Sequence, residues 1–540
     1  MEDRIDRVAR EAFGFAALRA GQREAIESVL AGRDTLVVMS TGSGKSAIYQ
    51  IAGLLTEGAT VVVSPLIALQ RDQVEDLAER AAGAAQLNST VPAAERARAL
   101  AELAEDTLEF LFLAPEQLAN EDVLAELAVA RPSLLVVDEA HCISEWGHDF
   151  RPEYLQLGAA AEALGRPTIL ALTATAAPPV RDEIVERLGL REPAVLVRGF
   201  DRPNIRLSVE RFHGEQGAER KQRALEDAVV AAPKPGIVYV ATRRQSEELA
   251  AALVERGVAA AAYHAGMRAG ERDAVQARFM DGELEVVTAT TAFGMGIDKA
   301  DVRWVYHSEV SESLDSYYQE IGRAGRDGGP AEAVLFYRTE DLGLRRFFSG
   351  GGHVEVDEIA QVLHAVQDAG GPVDPAALQE ATHLSQTKLA TAVARLEEAG
   401  AVELQPSGLV EPAVAPDESA AAVRAAAETE EQRRSFDRSR VDMMRGYAEA
   451  TGCRRAYVLS YFGEPFDPPC GHCDNCEAGR SAEPPEDVPF EVGTRVAHGQ
   501  WGEGVVQRYE DVAMVVLFDE VGYKTLALEL VRERELLRAA

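Results

Sequence analysis

Lysine is nearly absent from this chain. It occurs only at Lys45, Lys221, Lys234, Lys299, Lys388 and Lys524, and the formal net charge is -34 at pH 7. A surface that coats nucleic acid uniformly is thereby excluded, because phosphate contacts need Lys and Arg; any nucleic-acid site must be local. Long apolar runs are missing too. Although 46% of residues are hydrophobic, no run approaches the ~20 residues that span a bilayer, and "MEDRIDRVAR" has no signal-peptide apolar region. A soluble cytoplasmic protein without a membrane partner is expected. Cysteine is scarce: of five, Cys453, Cys470, Cys473 and Cys476 crowd into one region, which suits a metal better than a disulfide framework in a reducing compartment. Length is what the chain does have. Its 540 residues should divide into several domains of roughly 100 to 200 residues each.

The stretch "GRDTLVVMSTGSGKS", Gly32 to Ser46, gives a short apolar strand (Leu36 to Met39), a Gly-rich turn and a helix-compatible run. A phosphate-binding loop requires this order. In the loop Thr41, Gly42, Ser43, Gly44, Lys45 and Ser46, the glycines let backbone N–H groups converge on phosphates and the helix N-terminus adds its positive dipole end. Lys45 can then reach the outer phosphates, and Ser46 can hold Mg2+. The strict pattern fails at its first glycine, where Met39 stands. Taken alone, the loop is equally compatible with a helix N-cap beside a solvated lysine.

A second stretch, "VVDEAHCISEWGHDF" from Val136 to Phe150, shifts that balance. Leu134 to Val137 read as a buried strand that delivers Asp138 and Glu139 to its C-terminal end, the edge where ligands sit in open parallel sheets. Asp138 is placed to bind the Mg2+ that Ser46 also touches, and Glu139 to orient or deprotonate an attacking water. His141 can couple that site to the following loop. A charged turn after a core strand is the plainer alternative.

"STGSGKS", "DEAH", "LALTATA" (Leu170 to Ala176) and "YYQEIGRAGRDG" (Tyr317 to Gly328), in that order and spacing, resemble superfamily 2 helicases. "FGFAALRAGQREAI" (Phe13 to Ile26), "VVVSPLIALQRDQV" (Val61 to Val74) and "HCISEWGHDFRPEY" (His141 to Tyr154) resemble the RecQ family within them, densely over residues 10 to 345. The resemblance implies that Phe15 stacks on adenine while Arg19 and Gln22 contact the nucleotide; a core aromatic is the other reading of Phe15. It also implies that Trp146, Phe150 and Arg151 belong to an aromatic-rich loop that contacts single-stranded DNA. Stacking on bases tolerates any sequence, which suits a motor that steps along a strand. Glu145 stands where the family pattern leads one to expect glutamine.

From about Asp201 the pattern restarts with "GIVYVATRR", "AAYHAGM", "LEVVTATTAFGMGID" and "VRWVYHSEV", apolar strands alternating with helical stretches, and predicts a second parallel α/β domain. The resemblance implies two RecA-like lobes facing each other across ATP. Arg323 and Arg326 lie three residues apart, on one face if the segment is helical. They match arginine fingers that stabilise charge on the transferring phosphoryl group when the lobes close; plain surface arginines are the alternative. Gln319 and Asp298 fit supporting roles in nucleotide and inter-lobe contact.

After the motor, residues 354–412 suggest a winged helix: helices near Val356 to Gln367 and Pro375 to Thr382, a third capped by Ser385, and a wing from "AVEL" and "GLVEP". In the third helix Leu389, Val393 and Leu396 share a face, and Lys388 and Arg395 are offset by Glu397 and Glu398, so a spacer or protein-contact role stands beside duplex binding. A long charged helical region follows from about Asp417 to Ala450. Sixteen residues separate Cys453 from Cys470 and two separate each later pair, which permits one tetrahedral four-cysteine Zn2+ site. A redox or disulfide role is the alternative, and His472 a spare ligand. The site resembles the RecQ zinc module and implies helices that Arg454 and Arg455 decorate. The family as a whole places its zinc module before its winged helix; here the order is reversed. Beyond the linker "SAEPPEDVP", residues 490–540 alternate strands with Gly turns, a small barrel pattern. It resembles the Tudor-like module at the C-terminus of some superfamily 1 repair helicases, which implies contact with a protein, such as RNA polymerase or a repair factor, or with nucleic acid; the acidity of the segment favours protein, and Trp501 also fits a core position.

The fold class expected is α/β: two tandem RecA-like parallel-sheet lobes (1–200, 201–345), then winged-helix-like (354–412), helical zinc-binding (417–480) and small SH3/Tudor-like β-barrel (488–540) domains. The function expected is an ATP-, Mg2+- and Zn2+-requiring helicase, monomeric; the RecQ resemblance implies that its track is DNA, that it moves 3' to 5' on single-stranded DNA and that it opens tailed duplexes in recombination or repair. The alternatives are a DNA translocase and an ATP-switched recruitment factor.

Overall fold

A computed structural model describes residues 2–540 except 66, 81–82, 89–90, 106, 119, 145–150, 295–296, 344–353, 406–408, 481–487 and 511. The first lobe is built on seven strands: β1 (Thr35–Met39), β2 (Thr60–Val63), β3 (Ala84–Leu87), β4 (Phe110–Leu113), β5 (Leu134–Val137), β6 (Thr168–Thr173) and β7 (Ala194–Arg198). They form one sheet in the order β3-β4-β2-β5-β6-β1-β7, with every pairing parallel. Helices cover both faces of such a sheet, so its inner strands read as unbroken apolar runs. "TLVVM", "TVVV", "FLFL" and "LLVV" are buried at every position.

The second lobe repeats the plan with β8 (Ile205–Arg211), β9 (Gly236–Tyr239), β10 (Ala260–Tyr263), β11 (Val286–Ala289), β12 (Trp304–His307) and β13 (Ala331–Tyr337). Their order is β10-β11-β9-β12-β13-β8, again all parallel. Both sheets therefore present their strand C-termini, where ligands gather in parallel α/β folds.

Helices Val356–Asp368, Pro375–Thr382 and Gln386–Glu398 precede the two-stranded antiparallel wing β14 (Val402–Leu404) and β15 (Val410–Pro412). The Asp374 and Ser385 side chains cap the second and third helices by accepting from Ala376 N–H and Lys388 N–H. Leu389, Val393 and Leu396 join a local core with Ala422, Val423 and Ala426. Those last three open the long helix Ser419–Glu449, about 46 Å at 1.5 Å per residue. Its later residues Phe436, Met443, Met444 and Tyr447 join the main core instead, so one helix ties the winged segment to the motor.

The C-terminal unit is a five-stranded antiparallel sheet of β16 (Arg495–His498), β17 (Gly502–Glu510), β18 (Ala513–Phe518), β19 (Gly522–Ala527) and β20 (Leu537–Ala539), in the order β19-β18-β17-β16-β20. A bulge between Val506 and Arg508 bends the long strand β17, as an extra residue does. Gly522 makes the close approach to the long helix: a Cβ there would lie 2.4 Å from Ser439 Oγ and 2.8 Å from Phe436 Cδ2. Among the described residues no helix is long and apolar enough to cross a membrane.

Candidate nucleotide site and zinc centre

β1 ends at Met39, and the chain turns through a short loop into the helix Ser46–Leu55. Gly42 and Gly44 sit at φ +77° and +78°, a left-handed conformation that side chains disfavour. Met39, where the strict loop pattern has glycine, points its Sδ to within 3.7 Å of the Cβ position of Gly21 and so packs beneath the helix Gln22–Leu30. Lys45 Nζ donates to Met39 O at 3.1 Å and Ser40 O at 3.4 Å. Desolvation pulls its ammonium below the ordinary lysine range against the attraction of Glu139 and Asp138, and Arg326 lowers it further. A polyphosphate would replace those two weak carbonyl contacts with charge-assisted ones.

Arg19 and Gln22 hold the same loop from the side. Arg19 Nη1 donates to Gly42 O, and Gln22 Nε2 to Ser43 O at 3.1 Å and Gly44 O at 2.9 Å. Phe15 stacks on Phe13 with centroids 5.8 Å apart and stays 38% exposed, so it is not a core aromatic. It lines, with Arg10, Leu18, Arg19, Arg23 and Glu27, an open cavity of about 580 Å³.

β5 delivers Asp138, whose backbone N–H still pairs with Val63 O at 2.9 Å. Glu139 then adopts φ +48°, a left-handed backbone that strains a non-glycine residue and clusters at functional sites. Desolvation and then the charge of Glu139 push the Asp138 carboxyl up to about 7, against Lys45. A half-buried carboxyl pair of this kind has the donor chemistry of a divalent-cation site, with Ser46 beginning the helix across the loop. His141 lies with Nδ1 2.9 Å from Thr173 Oγ1 and 3.3 Å from Glu139 Oε2. His141 thereby joins Glu139 to "TAT" at the end of β6, where Thr173 Oγ1 donates to Thr175 O at 3.1 Å; the loop to which His141 is expected to couple falls at residues 145–150, outside the described residues. Arg151 anchors by its backbone N–H to Cys142 O at 2.9 Å. Glu145, Trp146 and Phe150 lie outside the described residues.

Lobe 2 meets this cleft with its arginine turn. The expectation that Arg323 and Arg326 share a helix face is corrected: the helix Leu314–Ile321 ends before them. Gly325 at φ +57° breaks the run, and the freed carbonyls are taken by Arg202, which donates to Gly322 O (3.0 Å), Ala324 O (2.8 Å) and Gly325 O (3.2 Å). The same guanidinium reaches Thr41 O of lobe 1 at 3.3 Å. Arg202 is thus an inter-lobe bridge that the sequence reading missed; an arginine in a linker carries no signal of it. Arg326 lies against the phosphate loop, its Cγ 3.5 Å from a Cβ position on Gly42, and Gly322 packs on Thr41. Arg326 pairs with Asp298 at 2.5 Å, while burial and the charge of Arg323 lower its pKa. Arg323 is buried, 3% exposed. Gln319, half-buried, lies on the helix leading into this turn.

The thiols of Cys453, Cys470, Cys473 and Cys476 lie within 4.8 Å of one another, and Cys470 Sγ to Cys476 Sγ is 3.8 Å. Four sulfurs about 2.3 Å from a tetrahedral zinc are separated by about 3.8 Å, so the set fits Zn2+. His472 completes the surroundings with its backbone N–H, 3.4 Å from Cys470 Sγ. The expected decoration by Arg454 and Arg455 is corrected, since both are buried, 1% and 7% exposed. Arg454 forks onto Asp474 and donates to Tyr447 O. Arg455 donates to Arg202 O, Pro203 O and Ile205 O. They fasten the metal module to the long helix and to lobe 2.

Two parallel lobes closing a phosphate loop, an acidic strand end and an arginine turn define a protein of the DEAD/DEAH-box helicase class. Residues 19–184 match the DEAD/DEAH box helicase family and 220–328 the helicase conserved C-terminal domain; residues 417–477 match the RecQ zinc-binding family and 360–410 the MarR family. The chain is 36% identical over 470 residues to ATP-dependent DNA helicase RecQ of Pasteurella multocida (strain Pm70), covering 87% of this chain and 61% of that protein. It is 40% identical over 357 residues to the probable ATP-dependent DNA helicase RecS of Bacillus subtilis (strain 168), covering 66% of this chain and 71% of that one. In fold it is similar to DUF1998 helicase MrfA, seen bound to DNA, with TM-score 0.53 at 15% identity over 78% of this chain and 63% of that one. The chain belongs to the RecQ family of helicases.

Proposed function

We propose that this chain is an ATP- and Mg2+-dependent DNA helicase that moves 3' to 5' on single-stranded DNA and opens tailed duplexes in recombination or repair, acting as a monomer in the bacterial cytoplasm. The observation that carries the reading is the opposition of Lys45, Asp138 and Glu139 on lobe 1 to Arg326 on lobe 2, packed over Gly42. Lys45 exchanges its two loop carbonyls for outer phosphates. Glu139 orients the attacking water, with His141 holding its carboxylate, and Arg323 and Arg326 stabilise charge on the phosphoryl group when the lobes close. Ser46 and Asp138 would hold Mg2+, which neutralises charge on the phosphate oxygens. Phe15 takes the adenine face, while Arg19, Gln22, Thr41 and Gln319 border the nucleotide. Trp146, Phe150 and Arg151 contact single-stranded DNA, and the names of the relatives, ATP-dependent DNA helicases, support DNA as the track.

The C-terminal β domain is proposed to engage a protein, RNA polymerase or a repair factor; Trp501 packs against the core of that domain. A second reading, a translocase or ATP-switched recruitment factor, draws on the winged segment, whose third-helix cations are already paired: Lys388 with Glu358 at 2.7 Å and Arg395 with Glu430 at 2.9 Å. ATP hydrolysis by wild type and Glu139→Gln, without nucleic acid and with single-stranded DNA or RNA, measured beside strand separation on a 3'-tailed duplex, separates the readings: hydrolysis without unwinding would favour the second. DNA-specific stimulation lost in the variant is expected; equal stimulation by RNA would contradict DNA as the track.

A further inference from the structure

One helix of lobe 1, Pro178–Arg187, receives the accessory modules. Near its start Arg181 Nε donates to Ala176 O at 2.8 Å, in the segment that begins with Thr173, the partner of His141. The other end of the same guanidinium donates to Phe462 O, the C-cap of the helix Arg454–Tyr461 in the zinc module. Burial pulls Arg181 down to about 10, and Tyr523, Asp182 and Asp315 are the charges that act on it. At the helix end Arg187 meets Glu398 of the winged segment at 2.7 Å.

Phe462 itself is the centre of a packed joint. It stacks on Phe200 of the inter-lobe linker at 4.5 Å and lies 4.9 Å from the ring of Tyr318, on the helix that runs into Arg323 and Arg326. Beside it Tyr461 donates to Asp315 Oδ2 on that same helix, with Arg440 Nη2 3.7 Å from the same oxygen. Tyr461 also stacks on Tyr523 of β19 at 5.2 Å, and Tyr523 N–H donates to Ser439 Oγ at 3.1 Å. Lobe 1, lobe 2, the zinc module, the long helix and the β domain therefore meet within one set of contacts.

We propose that Arg181 is a positioning residue for ATP hydrolysis: it seats lobe 1 in a socket formed by Phe462 and the Asp315–Arg440–Tyr461–Tyr523 cluster, so that the accessory half holds the lobes at the separation that brings Arg326 over Gly42. The β domain then has an internal duty besides any partner, because Tyr523 stacks on Tyr461, the neighbour in sequence of Phe462, whose carbonyl Arg181 holds. The kinetic part rests on the hydrolysis proposed above; the structural part does not.

The test uses the full-length, zinc-loaded chain as wild type, Arg181→Ala, Arg181→Lys, Tyr523→Ala and the Arg181→Ala/Tyr523→Ala double variant. Small-angle scattering reads lobe separation through the radius of gyration, about 24 Å for a compact chain of this length. Steady-state hydrolysis with single-stranded DNA reads kcat and KM for ATP. Expected are an expanded Arg181→Ala protein and a kcat lower by roughly 10- to 100-fold, as small misplacements of catalytic groups cause. KM should stay within about twofold, Arg181→Lys should recover part of both losses, and the double variant should be no worse than Arg181→Ala. Unchanged scattering overturns the proposal, and so does expansion with an unchanged kcat or strictly additive losses. Loss of zinc or of the thermal transition in Arg181→Lys as well would mark a folding role and also overturn it. A wild type that does not hydrolyse ATP would contradict the proposed function, and the scattering would still decide the socket.

Discussion

Lobe 2 and the winged segment each carry two basic side chains on a short stretch, Arg323 with Arg326 and Lys388 with Arg395, and the two pairs are held differently. Arg395 is 6% exposed against Glu430 at 4%, a buried ion pair whose breaking leaves an uncompensated charge. Arg326 is 10% exposed, but its partner Asp298 is 84% exposed, a screened contact worth little. It also faces Arg323 and Lys45, whose charges oppose its own. Partner burial, more than the number of cations, thus separates a structural pair from an anion site: one arginine is committed within the fold, the other can exchange a surface carboxylate for a phosphate.

That contrast can be broken in steps. The largest effect is expected from Cys473→Ser, because structural zinc contributes about 10–16 kcal/mol in small zinc modules. Metal analysis should find no bound zinc, and proteolysis should open the long helix that presents Glu430 to Arg395. Next, Arg326→Ala should lower kcat by roughly 10³- to 10⁵-fold, the usual span for an arginine finger, with nucleotide affinity by fluorescence titration little changed. Arg395→Ala should leave hydrolysis per folded molecule intact and destabilise the chain by about 3–5 kcal/mol in urea denaturation. Smallest is Lys388→Ala, whose half-exposed pair with Glu358 should shift stability by about 0–1 kcal/mol. Duplex DNA affinity in the same variant should stay within about twofold, since this cation has no free charge to lend. A large loss of duplex binding there would erase the contrast between the two pairs.

The parallel sheets were legible because strands buried on both faces must be apolar throughout, as "LLVV" and "GIVY" are. The phosphate loop, the acidic strand end and the cysteine cluster were legible because each chemistry demands fixed residue types at fixed spacing. Long-range satisfaction was not legible. Nothing near Arg454 in the sequence announces that Asp474 and the Tyr447 carbonyl will bury it, and Arg202 acquires its bridge only when lobe 2 turns at Gly325. The spacing of Arg323 and Arg326 allows a helix; Gly322 and Gly325 in the same run are the signal that it does not continue. Arg181, inside "APPVRDEIV", has no motif at all, since its distant partner, the Phe462 carbonyl, comes from the zinc module. Trp146 and Phe150 stay with the sequence reading, outside the described residues.

On the function proposed above, the two lobes convert ATP hydrolysis into strand separation through the Arg326 contact. Strand separation on 3'-tailed and 5'-tailed duplexes by wild type and Arg326→Ala, with ATP, tests it most directly. Wild type should open the 3'-tailed duplex only, and the variant should open neither while still binding nucleotide. Unwinding by Arg326→Ala at a rate near that of wild type would contradict it.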